Sequence, residues 1–261
     1  MDLTNKTALV TGASSGLGSS FARQLAQRGA NLVIVARRED RLKELAQDIE
    51  RQHRVKVTVL PQDLSKEGAA ESLHAATEGA NTAVDVLINN AGFGTQERFV
   101  DIPWERTREQ IQLNITTVTE MTWRFLRSMA ARRSGAIMNV ASIGAYLPSP
   151  DYAAYSASKA YVRDFTEAVA FEMRTSGVTL SALCPGLTET EFHHVAGHAL
   201  NGMVKTQMMS ADDCVRIGLD GLFAGRTTIV PGVANRAQMF MLRFLPRKTM
   251  ARVASLAAGK H

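Results

Sequence analysis

The stretch TALVTGASSGLGSSFARQLAQR, residues 7–28, decides the fold. Residues 7–10 are apolar or β-branched and predict a buried strand. Residues 18–28 place apolar side chains at helical spacing and predict an amphipathic helix. Between them lies a glycine-rich turn of spacing GxxxGxG, with Gly12, Gly16 and Gly18. A strand that passes through such a turn into a helix opens a βαβ unit and predicts a parallel α/β sheet.

The same alternation of strand and helix patterns continues along the chain. Further buried strands are predicted at residues 31–36, 55–60, 84–88, 135–141 and 178–184, and amphipathic helices at 38–52 and 65–78. We therefore predict a single α/β domain. It holds a doubly wound, Rossmann-like parallel sheet of about seven strands with helices on both faces. Ligands are expected at the carboxyl ends of the strands.

The glycine-rich turn is the predicted phosphate site. Gly12 permits a tight turn, and the missing side chains at Gly16 and Gly18 let a pyrophosphate approach the backbone at the helix N-terminus. Ser14 and Leu17 belong to the same predicted cofactor contact. A simple strand-to-helix turn is the alternative, but the position at the head of a βαβ unit favours a dinucleotide.

The end of the second predicted strand indicates which dinucleotide binds. NAD-selective sites usually place an acidic residue there to bind the ribose 2′-hydroxyl. Here Ala36 is followed by Arg37 and Arg38, and a guanidinium binds a 2′-phosphate through two hydrogen bonds. We therefore predict NADP(H), with Arg37 as the main contact and Ser15 and Arg38 in support. The alternative is that both arginines only begin a solvated helix.

A tyrosine and a lysine one helical turn apart form the predicted reaction centre. Tyr155 and Lys159 share a helix face, and Ser142 follows the fifth predicted strand. Reduction of a ketone needs a proton donor at the oxygen. A nearby ammonium, together with the positive nicotinamide of an oxidised cofactor, would lower the phenol's pKa from about 10. Each residue alone has an ordinary structural explanation. Together they predict hydride transfer between a nicotinamide and a carbonyl or secondary alcohol, with Tyr155 as acid/base.

These residues resemble those of one family, the short-chain dehydrogenases/reductases in their compact single-domain branch. The resemblance covers about Lys6 to Val230. Its motifs are TGASSGLG at 11–18, Asp63-Leu64, Asn89-Asn90-Ala91-Gly92, Asn114, Ser142, YSASK at 155–159, and Pro185-Gly186 with Thr190. The residues ARRxxRLxxLA at 36–46 look like those of reductases acting on ketones, 3-oxoacyl groups, steroids or sugars.

The resemblance implies roles for the matching positions. Asn114 would hold a water that links Lys159 to solvent, and Lys159 would also bind the nicotinamide ribose. The other implied cofactor contacts, from the adenine to the nicotinamide, are Asp63 and Leu64, then Asn90, Ala91 and Gly92, then Pro185, Gly186, Thr188 and Thr190. Homodimers or homotetramers are usual in this family.

Two other functions compete with a carbonyl reductase. A dinucleotide-binding sensor without turnover would be expected to lose Tyr155 or Lys159, and this chain keeps both. An NAD-linked alcohol dehydrogenase is the second alternative, and Arg37 argues against it.

Composition excludes several other classes. The net charge of +5 suits an anionic cofactor, and the sequence has no basic face with interleaved aromatic residues, so we predict no nucleic acid. Cys184 and Cys214 lack the spacing of a disulfide or zinc pair. The chain shows neither a signal pattern nor a membrane-spanning apolar run, so a cytoplasmic protein is expected.

The last third of the chain holds two less regular segments. Residues 1–232 are predicted to form the dinucleotide-binding domain, including a substrate lid at about 186–210. His193, His194 and His198 cluster in that lid, but four converging ligands are needed for a metal, so none is predicted. Residues 233–261 read as an amphipathic basic extension of the same domain. It could dock on a partner subunit, cover the substrate pocket, or contact an anionic membrane through residues 236–258.

Overall fold

The computed structural model describes residues 2–188 and 208–257. Its centre is a seven-stranded parallel sheet, which confirms the predicted fold class. The strands are β1 (Thr7–Thr11), β2 (Asn31–Ala36), β3 (Val57–Pro61), β4 (Val86–Asn89), β5 (Gly135–Val140), β6 (Val178–Leu183) and β7 (Thr228–Ile229). The helices are α1 (Gly16–Gln27), α2 (Glu39–His53), α3 (Ala69–Ala76), α4 (Trp104–Ile111), α5 (Val118–Ala131), α6 (Ala153–Glu172), α7 (Ala211–Phe223), α8 (Val233–Leu242) and α9 (Arg247–Ala257).

The strand order creates a crevice at the middle of the sheet. The strands lie in the order β3-β2-β1-β4-β5-β6-β7, and every neighbouring pair is parallel. The direction of winding reverses between β1 and β4. In open α/β sheets the ligand crevice lies outside the carboxyl ends of the strands at such a reversal.

The sheet is buried on both faces, which explains why its strands are continuous apolar runs. Ala8 and Val10 of β1 pack in one core cluster, whereas Leu9 between them packs in the other. Phe21 of α1 belongs to the first cluster and Phe125 of α5 to the second. Successive strand side chains point to opposite faces, so both sets must be apolar when helices cover both faces.

A buried polar network ties the middle of the sheet to the helices on one face. Asn139 of β5 accepts a hydrogen bond from Asn89 Nδ2 at 2.8 Å and one from Thr122 at 3.2 Å. Its own Nδ2 donates to Thr166 of α6 at 2.9 Å. All four side chains are buried. The network satisfies these polar groups and fixes α5 and α6 relative to β4 and β5.

Helix α3 differs most from its predicted bounds, and the position of β7 was not predicted. Helix α3 begins at Ala69 rather than at residue 65, because Asp63 closes a turn by accepting from the backbone N–H and the hydroxyl of Ser65. Gly68, at a φ of +73°, then immediately precedes α3. Strand β7 has only two residues, Thr228 and Ile229, too few to give a period-2 pattern.

None of the helices within residues 2–188 and 208–257 combines the length and the apolar character that crossing a bilayer requires.

Helix α1 packs against the end of β1 with no room for a side chain. Gly12 turns the chain at a φ of +68°, a conformation that favours glycine. A Cβ added to Gly18 would lie 2.0 Å from the carbonyl oxygen of Gly12. The close contact between these two glycines sets the position of α1 over the sheet.

We expect Gly18→Ala to lower the free energy of unfolding by about 1–3 kcal/mol, because the new methyl group must displace backbone. Helix propensity alone would make the alanine variant more stable by about 1 kcal/mol. A lower free energy of unfolding would therefore identify the steric effect. Urea denaturation measures the difference. Gly79→Ala is the matched control, since its Cβ would meet its nearest atom at 3.7 Å. Equal stability of wild type and Gly18→Ala would contradict the contact.

Candidate active site

One cavity of about 550 Å³ lies at the carboxyl ends of the strands. This volume is within the usual range for small-molecule sites. The predicted residues that line it are Gly12, Ser14, Ser15, Gly16, Leu17, Arg37, Arg38, Asp63, Leu64, Asn90, Ala91, Gly92, Ser142, Tyr155, Lys159, Pro185, Gly186 and Thr188. The cavity therefore brings the predicted phosphate end and the predicted reaction centre into one continuous space.

The N-terminus of α1 has the features of an anion site. Ser15 precedes the helix in an extended conformation, and within the described chain its side chain does not cap the helix. Its hydroxyl instead accepts a hydrogen bond from Arg38 at 2.9 Å, and Ser14 accepts one from Arg38 at 3.1 Å. The first backbone N–H groups of a helix, together with its dipole, attract negative charge. A pyrophosphate fits this end of the cavity.

Gly18 has a different role from the one predicted. It was expected to leave space for the pyrophosphate, but it is buried against the Gly12 carbonyl and is not among the lining residues. The glycine is required for helix-to-strand packing. The lining glycines of the turn are Gly12 and Gly16, which have φ values of +68° and +54°.

Arg37 lies at the mouth of the cavity next to an acidic residue. Burial raises the pKa of Asp63, but hydrogen bonds from Ser65 and the charge of Arg37 outweigh it, so the net pKa lies below its ordinary value. The Asp63 carboxylate is thus ionised at neutral pH and held by Ser65 at 2.7 and 3.0 Å. Arg37 and Arg38 together make this rim of the cavity basic.

Thr11 joins the two strands that flank the crevice. Its hydroxyl donates to the carbonyl of Ile88 at 3.2 Å and accepts from the N–H groups of Asn90 and Ala91 at 2.9 and 3.0 Å. The side chain of Asn90 donates back to the Thr11 carbonyl at 3.0 Å. The turn after β1 and the turn after β4 are therefore held together where they line the cavity.

Tyr155 and Lys159 both face the cavity from the first turns of α6. Lys159 Nζ donates to the carbonyl of Val140 at 2.8 Å and lies 5.9 Å from the centre of the Tyr155 ring. Ser142 accepts from the N–H of Gly144 at 3.1 Å, and its hydroxyl is hydrogen-bonded to the Tyr155 phenol. The structure thus brings the three predicted catalytic residues Ser142, Tyr155 and Lys159 together.

The pKa of the phenol moves opposite to the predicted direction. Burial raises the pKa of Tyr155 to about 12, and the hydrogen bond with Ser142 offsets only part of this effect. Burial also lowers the pKa of Lys159 to about 8. Removal from water disfavours the charged form of each group, so in the protein alone burial sets the direction of both pKa changes. The expectation of an unusually acidic phenol is therefore wrong for the protein alone.

Asn114 lies in a π-helical turn, Gln112–Thr117, between α4 and α5. Its amide donates to the Phe93 carbonyl at 2.9 Å and to Ser158 at 3.1 Å, and accepts from the Phe93 N–H at 3.2 Å. A Cβ at Gly92 would lie 3.0 Å from Asn114 Oδ1 and 3.3 Å from Lys159 Nζ. Asn114 thus lies behind the lining and fixes the backbone beside Lys159. Its role in holding a water stays a prediction.

The remaining predicted residues lie at the substrate end or outside the described chain. Pro185 accepts from the N–H of Ile143 at 2.9 Å, and the Thr188 hydroxyl donates to Gly186 at 2.9 Å. Thr190 and the three lid histidines (His193, His194 and His198), with lid residues 189–207, fall outside the described residues. Among the residues that the structure describes, no three His, Cys, Asp or Glu side chains group as metal ligands would.

Several lining residues were not predicted. They include Gln62, Glu109, Leu113 and Tyr152. Tyr152 could have been found, because it lies three residues before Tyr155 and such residues share a helix face. Its ring lies 6.1 Å from that of Tyr155. The others follow strands or lie within helices whose orientation only the fold reveals.

The C-terminal helices pack on the rim of this site. Met239, Leu242 and Met250 form a buried cluster against Ile143, Tyr146 and Leu147. Of these, Ile143 lines the cavity. Asn235 of α8 lies against Gly186, where an added Cβ would be 2.5 Å from its Nδ2. Helices α8 and α9 therefore support both the segment after Ser142 and the segment after β6.

Comparison with known proteins agrees with this geometry. The family model described as short chain dehydrogenase matches residues 6–201. A 7β-hydroxysteroid dehydrogenase of Collinsella aerofaciens is 31% identical over 231 residues, which are 87% of this chain and 86% of that one. A short chain dehydrogenase of Pseudocercospora fijiensis is 38% identical over 194 residues, which are 72% of this chain but only 62% of that longer protein.

Solved structures show the same fold. One, described in a study of 7β-hydroxysteroid dehydrogenase stereoselectivity, has a TM-score of 0.90 and 28% identity, and the match covers 98% of this chain and 100% of the other. A short-chain dehydrogenase from Sphingobium yanoikuyae in complex with NADPH has a TM-score of 0.81 and 28% identity, with 93% and 97% covered. The family match over three quarters of the sequence, the seven-stranded sheet and the grouping of Ser142, Tyr155 and Lys159 agree: this chain belongs to the short-chain dehydrogenase family, whose members are oxidoreductases that use a nicotinamide cofactor.

Proposed function

We propose that the protein is an NADP(H)-dependent reductase of bulky, apolar carbonyl compounds, with Tyr155 as the general acid. One observation carries the proposal: a single cavity joins the N-terminus of α1 and the basic rim at Arg37 and Arg38 to the hydroxyl groups of Ser142 and Tyr155. A dinucleotide and a small carbonyl substrate are the two ligands that such a cavity would hold end to end.

The basic rim supports NADP(H) over NAD(H). Arg37 directly follows β2, where a 2′-hydroxyl-binding carboxylate would otherwise stand. Arg38 lies against Ser14 and Ser15, so its guanidinium is already oriented toward the glycine-rich turn. A phosphate monoester would accept charge-assisted hydrogen bonds from both arginines. The NADPH complex of the Sphingobium yanoikuyae relative supports the same choice.

The chain's own residues supply the proton and its orientation. A bound nicotinamide cofactor supplies or accepts the hydride. The Tyr155 phenol is neutral at pH 7, since its pKa is raised to about 12, so its proton is available to the oxygen of a ketone as negative charge develops there. Ser142 is hydrogen-bonded to the same phenol and would hold the substrate oxygen beside it. Both groups lie in a cavity that limits access of water.

Lys159 would assist by charge. Its pKa is lowered to about 8, so the ammonium predominates at neutral pH. Its hydrogen bond to Val140 and its burial fix the nitrogen beneath Gly92, on the Tyr155 face of α6. A fixed positive charge there favours the phenolate that forms when the proton has left.

The lining supports an apolar substrate. Phe93, Leu113, Ile143 and Leu187 contribute carbon surface around the reaction centre. Tyr146 does not line the cavity but packs with the C-terminal helices. The 7β-hydroxysteroid dehydrogenase relative, by its name, acts on a rigid polycyclic ligand of this kind. A steroid ketone is therefore the first substrate class to test.

We also infer a homodimer or homotetramer that assembles through α5 and α6. Trp123 and Phe171 expose more than half of their side-chain surface on these helices. Aromatic side chains are enriched at protein interfaces, and family members often form oligomers. The cytoplasmic compartment stays a prediction.

We expect Tyr155→Phe to lower the rate of NADPH-dependent ketone reduction by about a hundredfold to ten-thousandfold, because the proton donor is lost. Cofactor binding, followed by NADPH fluorescence, should remain. The rate is measured as NADPH consumption across a panel of steroid, aliphatic and 3-oxoacyl ketones. Tyr161→Phe, at an exposed residue of α6 that does not line the cavity, is the matched control and should keep most of the activity. Activity of Tyr155→Phe near wild type would refute the assignment.

We expect Arg37→Ala to weaken NADPH binding by about tenfold to a hundredfold and to leave NADH binding nearly unchanged. The removed guanidinium would lose hydrogen bonds to a charged group, each worth about 1.5–3 kcal/mol. Titration of both cofactors by fluorescence or calorimetry measures the change. Arg54→Ala, immediately after α2, is the control. Equal losses for the two cofactors would remove the argument for NADP(H).

The raised pKa of Tyr155 predicts opposite pH profiles for the two directions. Reduction uses the neutral phenol, so its rate should fall as the pH rises toward about 12, whereas alcohol oxidation uses the phenolate and should rise. Because the pKa of Lys159 is about 8, the wild type should lose the assistance of the ammonium first, as a fall in the reduction rate near pH 8, and Lys159→Met should lack this step. Single-turnover rates between neutral and alkaline pH measure both profiles. An oxidation rate that falls with pH would contradict this assignment.

A further inference from the structure

The C-terminal helices expose an apolar surface on the side away from the core. Met239 and Leu242 of α8 are buried, whereas Phe240 and Phe244 are 56% and 69% exposed. The two exposed rings lie 5.4 Å apart. Met241 and Leu245 next to them are also exposed. We call Phe240, Met241, Phe244 and Leu245 the C-terminal apolar patch.

Basic side chains surround this patch. Arg236, Arg243, Arg247, Lys248 and Arg252 are all exposed. Arg236, Phe240 and Phe244 are spaced by four residues and Arg243 follows Phe240 by three, so all four lie toward one side of the chain as it leaves α8. The surface therefore combines exposed aromatic rings with guanidinium groups at the same edge.

The C-terminal part of the chain, residues 221–261, is much more basic than the rest. Residues 221–261 hold seven of the 30 Lys and Arg residues and none of the 25 Asp and Glu residues. Their formal charge is +7, whereas residues 1–220, with 23 basic and 25 acidic residues, carry −2. The partner of this surface is therefore expected to be anionic.

We propose that residues 236–252 dock on the surface of an anionic lipid bilayer. Phe240 and Phe244 would enter the interface between headgroups and acyl chains, and the basic residues would contact lipid phosphates and carboxylates. Helices of 10 and 11 residues are too short to span a bilayer but long enough to lie on one. This docking adds a location to the proposed function and does not depend on it.

A second copy of the chain fits this surface less well. In a twofold contact the same patch meets itself, so Arg243, Arg247 and Lys248 of one copy would approach those of the other. The described part of the segment offers no carboxylate to pair with them. Like charges brought together in a desolvated contact are unfavourable. The exposed aromatic residues of α5 and α6 offer a separate face for self-association.

Docking would bring the cavity close to the bilayer. Asn235 of α8 lies against Gly186, and Met239 packs with Ile143; both Gly186 and Ile143 line the cavity. Helix α8 would therefore face the lipid on one side and contact residues of the cavity wall on the other. An apolar substrate dissolved in the bilayer would have a short path to the site.

The test is co-sedimentation of the full chain with phosphatidylcholine vesicles that contain or lack phosphatidylserine. Wild type should pellet with the anionic vesicles only, and less at high salt. Arg247→Gln with Lys248→Gln should weaken binding roughly 25-fold, at roughly fivefold for each charge. Phe240→Ser with Phe244→Ser should also release the protein. Circular dichroism, thermal unfolding and NADPH binding verify that each variant is folded.

Two matched controls distinguish binding through the C-terminal apolar patch from nonspecific adsorption to vesicles. Phe99→Ser with Val100→Ser removes side chains that are 54% and 82% exposed elsewhere, and Arg54→Gln with Lys56→Gln removes two exposed charges; both should leave pelleting unchanged. Absence of pelleting by wild type, or equal pelleting of all variants, overturns the proposal. Conversion of an oligomer to a monomer by the Phe240 and Phe244 changes, without lipid binding, would identify a contact between copies and also overturn it.

Discussion

The contact between Gly12 and Gly18 is the constraint on which the rest of the site depends. Because a side chain at position 18 would overlap the Gly12 carbonyl, α1 can approach β1 only with glycine at this position. That approach places the start of α1 over the carboxyl end of β1. The neighbouring end of β4 is fixed to the same place by the hydrogen bonds of Thr11 with Asn90 and Ala91. The proposed phosphate end is thus defined by backbone contacts, and in the proposed function Arg37 and Arg38 select among the cofactors that fit it.

The reaction centre follows a different principle, since its properties arise from burial. Lys159 is buried and Tyr155 is largely buried, and burial shifts each pKa toward the neutral form of its group. A phenol that holds its proton suits reduction at neutral pH, and a lysine whose pKa remains near 8 still carries positive charge there. The proposed acid, Tyr155, and its proposed electrostatic partner, Lys159, are therefore both in the form that reduction of a carbonyl would use.

Most of the fold and the members of the site were predictable because they depend on local pattern and order along the chain. Continuous apolar runs indicated strands buried on both faces, and the spacing of Tyr155 and Lys159 fixed their common helix face. The role of Gly18 and the direction of the Tyr155 pKa were not predictable, because the first depends on how closely α1 approaches β1 and the second on how far the phenol is buried. The two-residue β7 is too short to show an alternating sequence pattern. Asn114 contacts its hydrogen-bond partners, which are Phe93 and Ser158, only in the folded chain.

The segment that carries Ser142 shows why the C-terminal helices belong to the site. On one side, Arg163 of α6 donates to the Ala145 carbonyl at 3.0 Å and lies 4.4 Å above the ring of Tyr146. On the other side, Met239 packs against the same segment from α8. Ser142 is therefore held between a helix that carries Tyr155 and Lys159 and a helix beyond the last residue that the family model matches, residue 201. The shared part of the chain supplies the reacting groups, whereas a part outside that match supports the wall against which a substrate would lie. Differences in substrate among relatives are then expected to arise from the C-terminal segment and the lid, with the catalytic residues unchanged.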